Sequence, residues 1–412
     1  GIGAAKIFAQ NNAKVLVTDL KDAKALKSSI LKLKKYKSIT YHLGEHKEED
    51  FKNNDYVVIN PAVKPTSNFY KLAKRNKQKL ITDIGFLMEN TPAFIIGVTG
   101  TKGKSTTTKL IFDLVRHEIK NQKQPFFKKY NKVYLGGNIR VSPFDFIDKL
   151  DEKSIVVLEM SSFQLYHTKY AKTSPNISVV TNIIPEHLDW HDTFDEYQKA
   201  KCLIFRYQKK NDILIINKDL KKLTSQTKSK IFYTNGQNDD NLYQFAKALN
   251  IEKESVDLVI KNFKGLEGRQ EFIAEINGRK FVNDTCATHP MANLYMLKSF
   301  ENPIVIWGGV DKGFDIKALA KEFMRRNIRL FIFQGSAGER ILKVLKKDYI
   351  KKQVTSNIQT MNDAVEMAYK ISKKGDVIIL SPGAASFNMF LNEFDRGKKF
   401  IKAVKSLKNG RL

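Results

Sequence analysis

The chain has 412 residues, a formal net charge of +28, and 42% hydrophobic against 28% charged residues, the composition of a folded, water-facing protein. It is too long for one typical core, so two or three domains are expected. No apolar run approaches the roughly 20 residues that span a bilayer, and no secretory signal pattern is present. The two cysteines, Cys202 and Cys286, form no close-spaced pair, which excludes a disulfide framework and points to a reducing, cytoplasmic setting. Lysines are scattered through runs such as Lys32-Leu33-Lys34-Lys35, Leu220-Lys221-Lys222 and Val344-Leu345-Lys346-Lys347. That spread fits a bias toward Lys and Asn at least as well as a nucleic-acid face.

Gly1-Ile2-Gly3 opens a helical pattern and is followed by the strand Val15-Leu16-Val17-Thr18 and Asp19. A Gly-x-Gly turn with an acid further on resembles a dinucleotide fingerprint, but Lys6 stands where the third glycine would fall. With no strand ahead of that turn, an N-terminally incomplete first domain is expected. Tyr56-Val57-Val58-Ile59 reads as a second buried strand, and Asn90-Thr91-Pro92 punctuates a domain boundary. From Phe94 the strand–helix rhythm restarts. Ile155-Val156-Val157-Leu158, Ile177-Ser178-Val179-Val180 and Ile213-Leu214-Ile215-Ile216 are the near-continuous apolar runs of parallel strands covered on both faces. Polar residues around 219–240 break the pattern, and Lys264–Gly268 reads as a linker. Asn277-Gly278 between alternating segments is a type I′ hairpin signal. Strands at Ile304–Trp307, Leu330–Phe333 and Val377–Leu380 complete three consecutive α/β domains, expected at 1–91, 92–265 and 266–412.

Gly97-Val98-Thr99-Gly100-Thr101-Lys102-Gly103-Lys104-Ser105-Thr106-Thr107-Thr108 lies between an apolar strand and a helix. Glycines let backbone N–H groups turn around a phosphate, and the helix N-terminus adds favourable dipole. Lys104 supplies a cation for the phosphates, and the Ser105 or Thr106 hydroxyl suits Mg²⁺. The strict phosphate-loop pattern wants a glycine where Val98 stands, so the loop is a variant.

Glu159, Ser161 and Ser162 end a buried strand, where open α/β sheets bind ligands, and Glu159 there can complete a Mg²⁺ site begun by Ser105. His187 and His191 have the spacing of a helical zinc pair without the intervening Glu of a metalloprotease. Pro185 and the cap at Thr193 favour a loop, in which one histidine is a second Mg²⁺ ligand, an anion contact or a plain surface side chain. Thr193-Phe194-Asp195-Glu196 is a capping box. It opens a helix on whose apolar face Lys201 joins Phe194, Tyr197 and Ile204. Such a lysine either snorkels to the surface or carries a depressed-pKa amine open to covalent modification, and the sequence leaves both readings standing. Cys286, with no base fixed beside it, reads as a buried inert thiol. Ser381-Pro382-Gly383-Ala384-Ala385-Ser386-Phe387 ends a strand in small residues that let a ligand approach backbone.

In this order the motifs resemble the Mur ligase family over essentially the whole chain. Those carrying the resemblance are Gly97–Thr108, Gly136-Gly137-Asn138-Ile139, Glu159–Leu165, Asn182–Asp189, Ala200-Lys201, Gly265–Arg269, Asp284–Thr288, Gly308–Gly313 and Ser381–Arg396. Glu-Met-Ser-Ser-Phe-Gln-Leu and the Ser-Pro-Gly tail point to the member adding D-glutamate to UDP-N-acetylmuramoyl-L-alanine. The resemblance implies a UDP-binding Rossmann-like domain, a central ATPase domain, and a C-terminal domain closing over the amino acid. It implies that ATP phosphorylates the substrate carboxylate and that the D-glutamate amine attacks the acyl phosphate.

By the same resemblance, Gly100, Thr101, Lys102, Gly103, Lys104, Ser105, Thr106, Arg269 and Asp284 would bind ATP. Ser105 and Glu159 would hold one Mg²⁺, and His187 and a carbamylated Lys201 a second. Lys104, His187 and Lys201 would form the catalytic set. Asp19, Asn138 and Ser161 would contact the UDP-sugar, and Thr288, Lys312, Ser386 and Phe387 would border D-glutamate. Lys102 departs from the Asn usual in the loop, and Cys286 and His289 vary one wall of the glutamate pocket. A monomer with no nucleic-acid partner and no membrane insertion is expected. The competing readings are a Mur-type or folylpolyglutamate-synthase-like ligase for another amino acid, and a nucleic-acid-dependent ATPase.

Overall fold

The computed structural model describes residues 1–52, 54–139, 141–263, 265–386 and 389–408, apart from the side chain of Asp189. The chain divides into two compact units, Gly1–Phe263 and Lys264–Leu412. That boundary falls at the expected linker, whereas the expected boundary near Thr91 lies inside the first unit.

The first unit begins with β1 (Val15–Asp19) paired parallel to β2 (Ile39–Leu43), and β3 (Tyr56–Val58) paired parallel to β4 (Lys79–Ile81). Its main sheet contains β5 (Phe94–Thr99), β6 (Lys132–Gly137), β7 (Ser154–Glu159), β8 (Ile177–Val180), β9 (Ile213–Asn217) and β10 (Lys230–Thr234). The order β10-β9-β8-β5-β7-β6 is parallel throughout. The apolar runs account for this. One face of the sheet is covered by Leu110, Ile111, Leu114 and Val115 of the helix Lys104–Asn121, the other by Ile84, Leu165, Ile204 and Phe205. Because β5 pairs with both β7 and β8, the loops after these three strands leave the same carboxyl edge side by side.

The first ninety residues are fastened to this sheet by Ile84 and Leu87 of the helix Asp83–Asn90, which enter its core, and by rings and a few polar bonds. Phe8 packs against Phe86 and Phe144 at centroid distances of 5.2 and 5.9 Å. Ser142 Oγ donates to Asp83 Oδ2 (3.0 Å), and Trp190 Nε1 donates to the Ala62 carbonyl (3.0 Å).

The second unit holds β11 (Glu271–Ile276), β12 (Arg279–Asn283), β13 (Ile304–Trp307), β14 (Leu330–Phe333), β15 (Val354–Ile358) and β16 (Val377–Leu380), in the order β11-β12-β16-β13-β14-β15. Only β11 runs antiparallel, through a turn whose Asn277 and Gly278 have φ of 49° and 75°, the left-handed pair a type I′ turn requires.

Several local expectations need correction. Residues 219–240 are not merely spacers, since β10 extends the sheet there. β15 escaped notice because its alternating Val354-Thr355-Ser356-Asn357-Ile358 reads as polar at a sheet edge. β3 is largely exposed rather than buried, and residues Leu188–His191 form a short helix where a loop was expected. Among the described residues no helix is long and apolar enough to cross a membrane.

Phe144, buried between Ala4, Ile7 and the Phe8 and Phe86 rings, is the apolar tie of the helix Ile2–Gln10. Phe144→Ala should cost about 3–5 kcal/mol. Limited proteolysis should then cut within residues 1–90 before the six-stranded sheet. A cleavage pattern identical to wild type would refute this attachment.

Candidate active site

The glycine loop follows β5 at the sheet's centre. Gly100 has φ 152°, and a Cβ there would lie 1.9 Å from Thr181 Oγ1, so only glycine fits. The loop after β8 grips it. Thr101 N donates to the Asn182 carbonyl (2.8 Å), Lys102 N to Asn182 Oδ1 (2.9 Å), and Thr181 Oγ1 to the Lys102 carbonyl (2.6 Å). Thr101 Oγ1 pairs with the Tyr197 hydroxyl at 2.9 Å. Gly103, with φ 81°, caps the helix Lys104–Asn121. Lys104, Ser105 and Thr106 thus occupy its first turn, half-buried, where the dipole of a helix N-terminus favours an anion. Lys104 Nζ donates to the Thr101 carbonyl (2.9 Å), and so curls over the loop. The variant Lys102 points away and pairs with Glu186 at 2.6 Å.

Glu159 ends β7 and is 1% exposed. Its Oε1 accepts from Asn138 Nδ2 (2.7 Å), while the buried Oε2 has no hydrogen-bond partner among the described residues. An orphaned carboxylate oxygen in low dielectric is costly unless a cation meets it. Gly137 makes this pairing possible. With φ 94° and its Cβ position 2.1 Å from the Glu159 carbonyl oxygen, it lets Asn138 N donate to that carbonyl (2.8 Å). Asn138, expected on the UDP-sugar, therefore commits its amide to Glu159. Ser161 caps the next helix in a reciprocal box with Gln164.

Lys201 is 1% exposed on the helix Phe194–Arg206. Its Nζ donates to the Gly100 carbonyl (2.7 Å) and lies 4.8 Å from the Tyr197 ring centroid. Desolvation, followed by the charge of Lys104, drives its pKa well below the ordinary value, and the nearby Glu186 and Glu159 only partly oppose this. The amine is buried and held at the phosphate loop, which decides against the snorkelling alternative. His187 begins the short helix with φ 57°, its Nε2 3.7 Å from Glu186 Oε2 and its ring 4.9 Å from Phe163. His191 is buried instead, its Nε2 2.9 Å from Ser162 Oγ. Glu159, His187, Lys201 and the glycine loop thus occupy one carboxyl edge. Among the described residues no group of three or more His, Cys, Asp or Glu has metal-binding geometry. Any cation here would depend on a hydroxyl or a modified lysine as well. Asp19 lies apart, at the end of β1, accepting from Lys21 N (2.9 Å).

In the second unit the strand ends form another loop cluster. Asp284, after β12, accepts from Ser381 Oγ (2.8 Å) and Gln270 N (3.2 Å). Burial pushes its pKa up to about 6, against the lowering influence of Ser381, Gln270 and the exposed Arg269. Thr288 is half-buried and Ser386 buried, and Lys312 borders a small cavity with Pro290, Phe314 and Gly383. Phe387 lies outside the described residues. Cys286 is half-exposed, not buried as expected. Sequence reasoning missed Asn182, Glu186 and Ser381. Their proximity to strand ends was a signal, but only the fold shows what they hold.

A family profile for the Mur ligase middle domain matches residues 98–289, and one for the Mur ligase glutamate ligase domain matches residues 268–383. A UDP-N-acetylmuramoylalanine–D-glutamate ligase of Borreliella burgdorferi is 36% identical over 452 aligned positions, covering 99% of this chain and 95% of that protein. The chain belongs to the Mur ligase family. A ligase of the same name from Roseiflexus is 30% identical over 98% of this chain and 96% of its own length. Among solved structures, MurC of Thermotoga maritima superposes with TM-score 0.57 at 16% identity, over 99% of this chain and 98% of its own. MurF of the same organism, in complex with ADP, gives 0.54 at 16% identity, over 89% and 97%. At that identity these two likenesses establish the Mur ligase fold.

For the Lys201 environment the sign is definite. The folded state binds the lysine proton less tightly than the unfolded chain, so the buried amine destabilises the fold below the ordinary lysine value of 10.5. Lys201→Met, prepared free of CO₂, should therefore melt higher at pH 7 and lose part of the wild type's rise in stability between pH 7 and 10. An unchanged or lower melting temperature would show that the amine is not desolvated.

Proposed function

We propose that this Mur ligase couples ATP cleavage to the addition of D-glutamate onto UDP-N-acetylmuramoyl-L-alanine, in the cytoplasm, as a step of peptidoglycan precursor synthesis. The observation that carries the reading is the conjunction at one sheet edge of a lysine-bearing phosphate loop, an orphaned buried carboxylate and a desolvated lysine amine. Support for the particular amino acid comes from relatives of that name aligned over nearly the full chain.

In this reading residues 92–265 carry ATP activation, residues 1–91 the UDP end of the substrate with Asp19, and residues 266–412 the amino acid. Gly100, Thr101, Lys102, Gly103, Lys104, Ser105 and Thr106 cradle the phosphates, and Arg269 and Asp284 attend the nucleotide. The alanyl carboxylate attacks the γ-phosphorus and ADP leaves. The D-glutamate amine then attacks the acyl phosphate carbon and loses a proton, and phosphate departs. Lys104 balances charge on the transferring phosphoryl group. Asn138 fixes the Glu159 carboxylate, whatever contact it also makes to the sugar beside Ser161. Thr288, Lys312, Ser386 and Phe387 border D-glutamate.

The donor set fits Mg²⁺. Ser105 and Glu159 would hold one ion, and His187 with a carbamylated Lys201 a second, supplying charge neutralisation for phosphoryl transfer. The depressed lysine pKa supports this, because only the neutral amine adds CO₂. The resulting carbamate turns a buried cation into an oxygen ligand.

Two measurements test the reading. Phosphate release from ATP and Mg²⁺ should require both the muramoyl-alanine nucleotide and D-glutamate, and equal release with L-amino acids would overturn it. Lys201→Ala should lose activity by about two orders of magnitude or more, as expected for loss of transition-state charge stabilisation. Small carboxylates should partly restore that activity, and no restoration would count against the carbamate.

A further inference from the structure

Among the described residues, Arg396 is the one arginine of the second unit that is fully buried, at 0% exposure, on the helix Glu393–Lys408. Burying a guanidinium is expensive unless its donors are satisfied. Here all three nitrogens donate to two loops. Nε donates to Thr285 Oγ1 (3.1 Å), one terminal nitrogen to the Thr285 carbonyl (3.0 Å), and the other to the Ala384 carbonyl (3.2 Å). Among the described residues it makes no ion pair, and burial lowers its pKa to about 10. Thr285 Oγ1 donates in turn to the Glu393 carbonyl (2.6 Å). The next residue, Gly397, lets the helix press in. A Cβ there would stand 2.8 Å from Thr285 Cγ2 and 3.1 Å from Asn283 Nδ2.

The two loops held in this way are the ones that matter. Thr285 follows Asp284 and precedes Thr288, and Ala384 is two residues from Ser386. They also meet directly, since Gly383 N donates to the Ala287 carbonyl (2.7 Å) and Ala385 bridges to Val310 in the loop carrying Lys312.

We propose that Arg396 is a positioning residue that sets the spacing between loops 284–288 and 381–386, and thereby the affinity for D-glutamate. The inference rests on the proposed function. The guanidinium donates to protein acceptors in these two loops. Its rigid fork reaches three acceptors in two loops at once, a geometry that a flexible ammonium does not reproduce. The role therefore depends on shape and not on charge alone.

The test uses the full chain with Arg396→Lys and, as a second route to the same tether, Thr285→Val. Both should raise the KM for D-glutamate by about tenfold or more, the cost of roughly one charge-assisted hydrogen bond. The change in kcat should be smaller, and the KM for the UDP-substrate should be unchanged. Hydrogen–deuterium exchange should rise in segments 283–288 and 381–386 and stay unchanged in the first unit. Wild-type KM in Arg396→Lys would overturn the proposal, as would all KM values rising together or unchanged exchange in the two segments. If Arg396→Lys does not fold, the Thr285→Val values decide. If the wild type itself shows no turnover dependent on D-glutamate, the functional reading falls, and exchange alone still decides whether Arg396 holds the loops.

Discussion

The structure of the first unit turns on a lysine that water cannot reach. Lys201 Nζ lies against the Gly100 carbonyl, with the phosphate loop on one side and the Tyr197 ring on the other. Once that amine is held there, the rest is constrained. Gly100 has no room for a side chain, the loop after β8 must clamp Thr101 and Lys102, and the helix bearing Lys201 must cross the carboxyl ends of β5 and β8. An unprotonated buried amine is tolerable where a protonated one is not, so the same packing that shields Lys201 also makes it chemically available.

The two units solve one problem with different means. Each places small residues at strand ends so that loops can approach closely, and each stiffens those loops with a polar side chain. In the first unit that member is Asn138, locked to Glu159 across the adjacent ends of β6 and β7. In the second it is a guanidinium reaching into two turns. Neither arrangement can be replaced by apolar packing, because backbone carbonyls and carboxylates at these edges need donors.

Much of this was legible in the sequence. Continuous apolar runs such as Ile155–Leu158 announced buried parallel strands, Asn277-Gly278 announced its turn, and Gly103-Lys104-Ser105 announced a glycine turn at a helix start. The position of Lys201 on an apolar face was visible too, but whether it snorkelled depended on which helix face met the sheet. What stayed hidden depends on contacts between distant segments. That Asn138 serves Glu159 rests on a register between β6 and β7, and that Glu186 answers Lys102 rests on two loops meeting. Short edge strands such as β10 and β15 were obscured by their polar, half-exposed residues, where periodicity is weakest.

The Lys102–Glu186 pair changes how the charge of the phosphate loop should be counted. Summed along the sequence, Lys102 and Lys104 give a loop with two cations facing an incoming triphosphate. In the folded chain one of those charges is already matched. A phosphate oxygen that recruits Lys102 would do so by ion exchange, releasing a carboxylate next to His187 instead of adding to an open cationic field. Filling the loop would then leave the Glu186 carboxylate, already 3.7 Å from His187, without its lysine counter-charge, so this residue links occupancy of the loop to the electrostatics of the adjoining position.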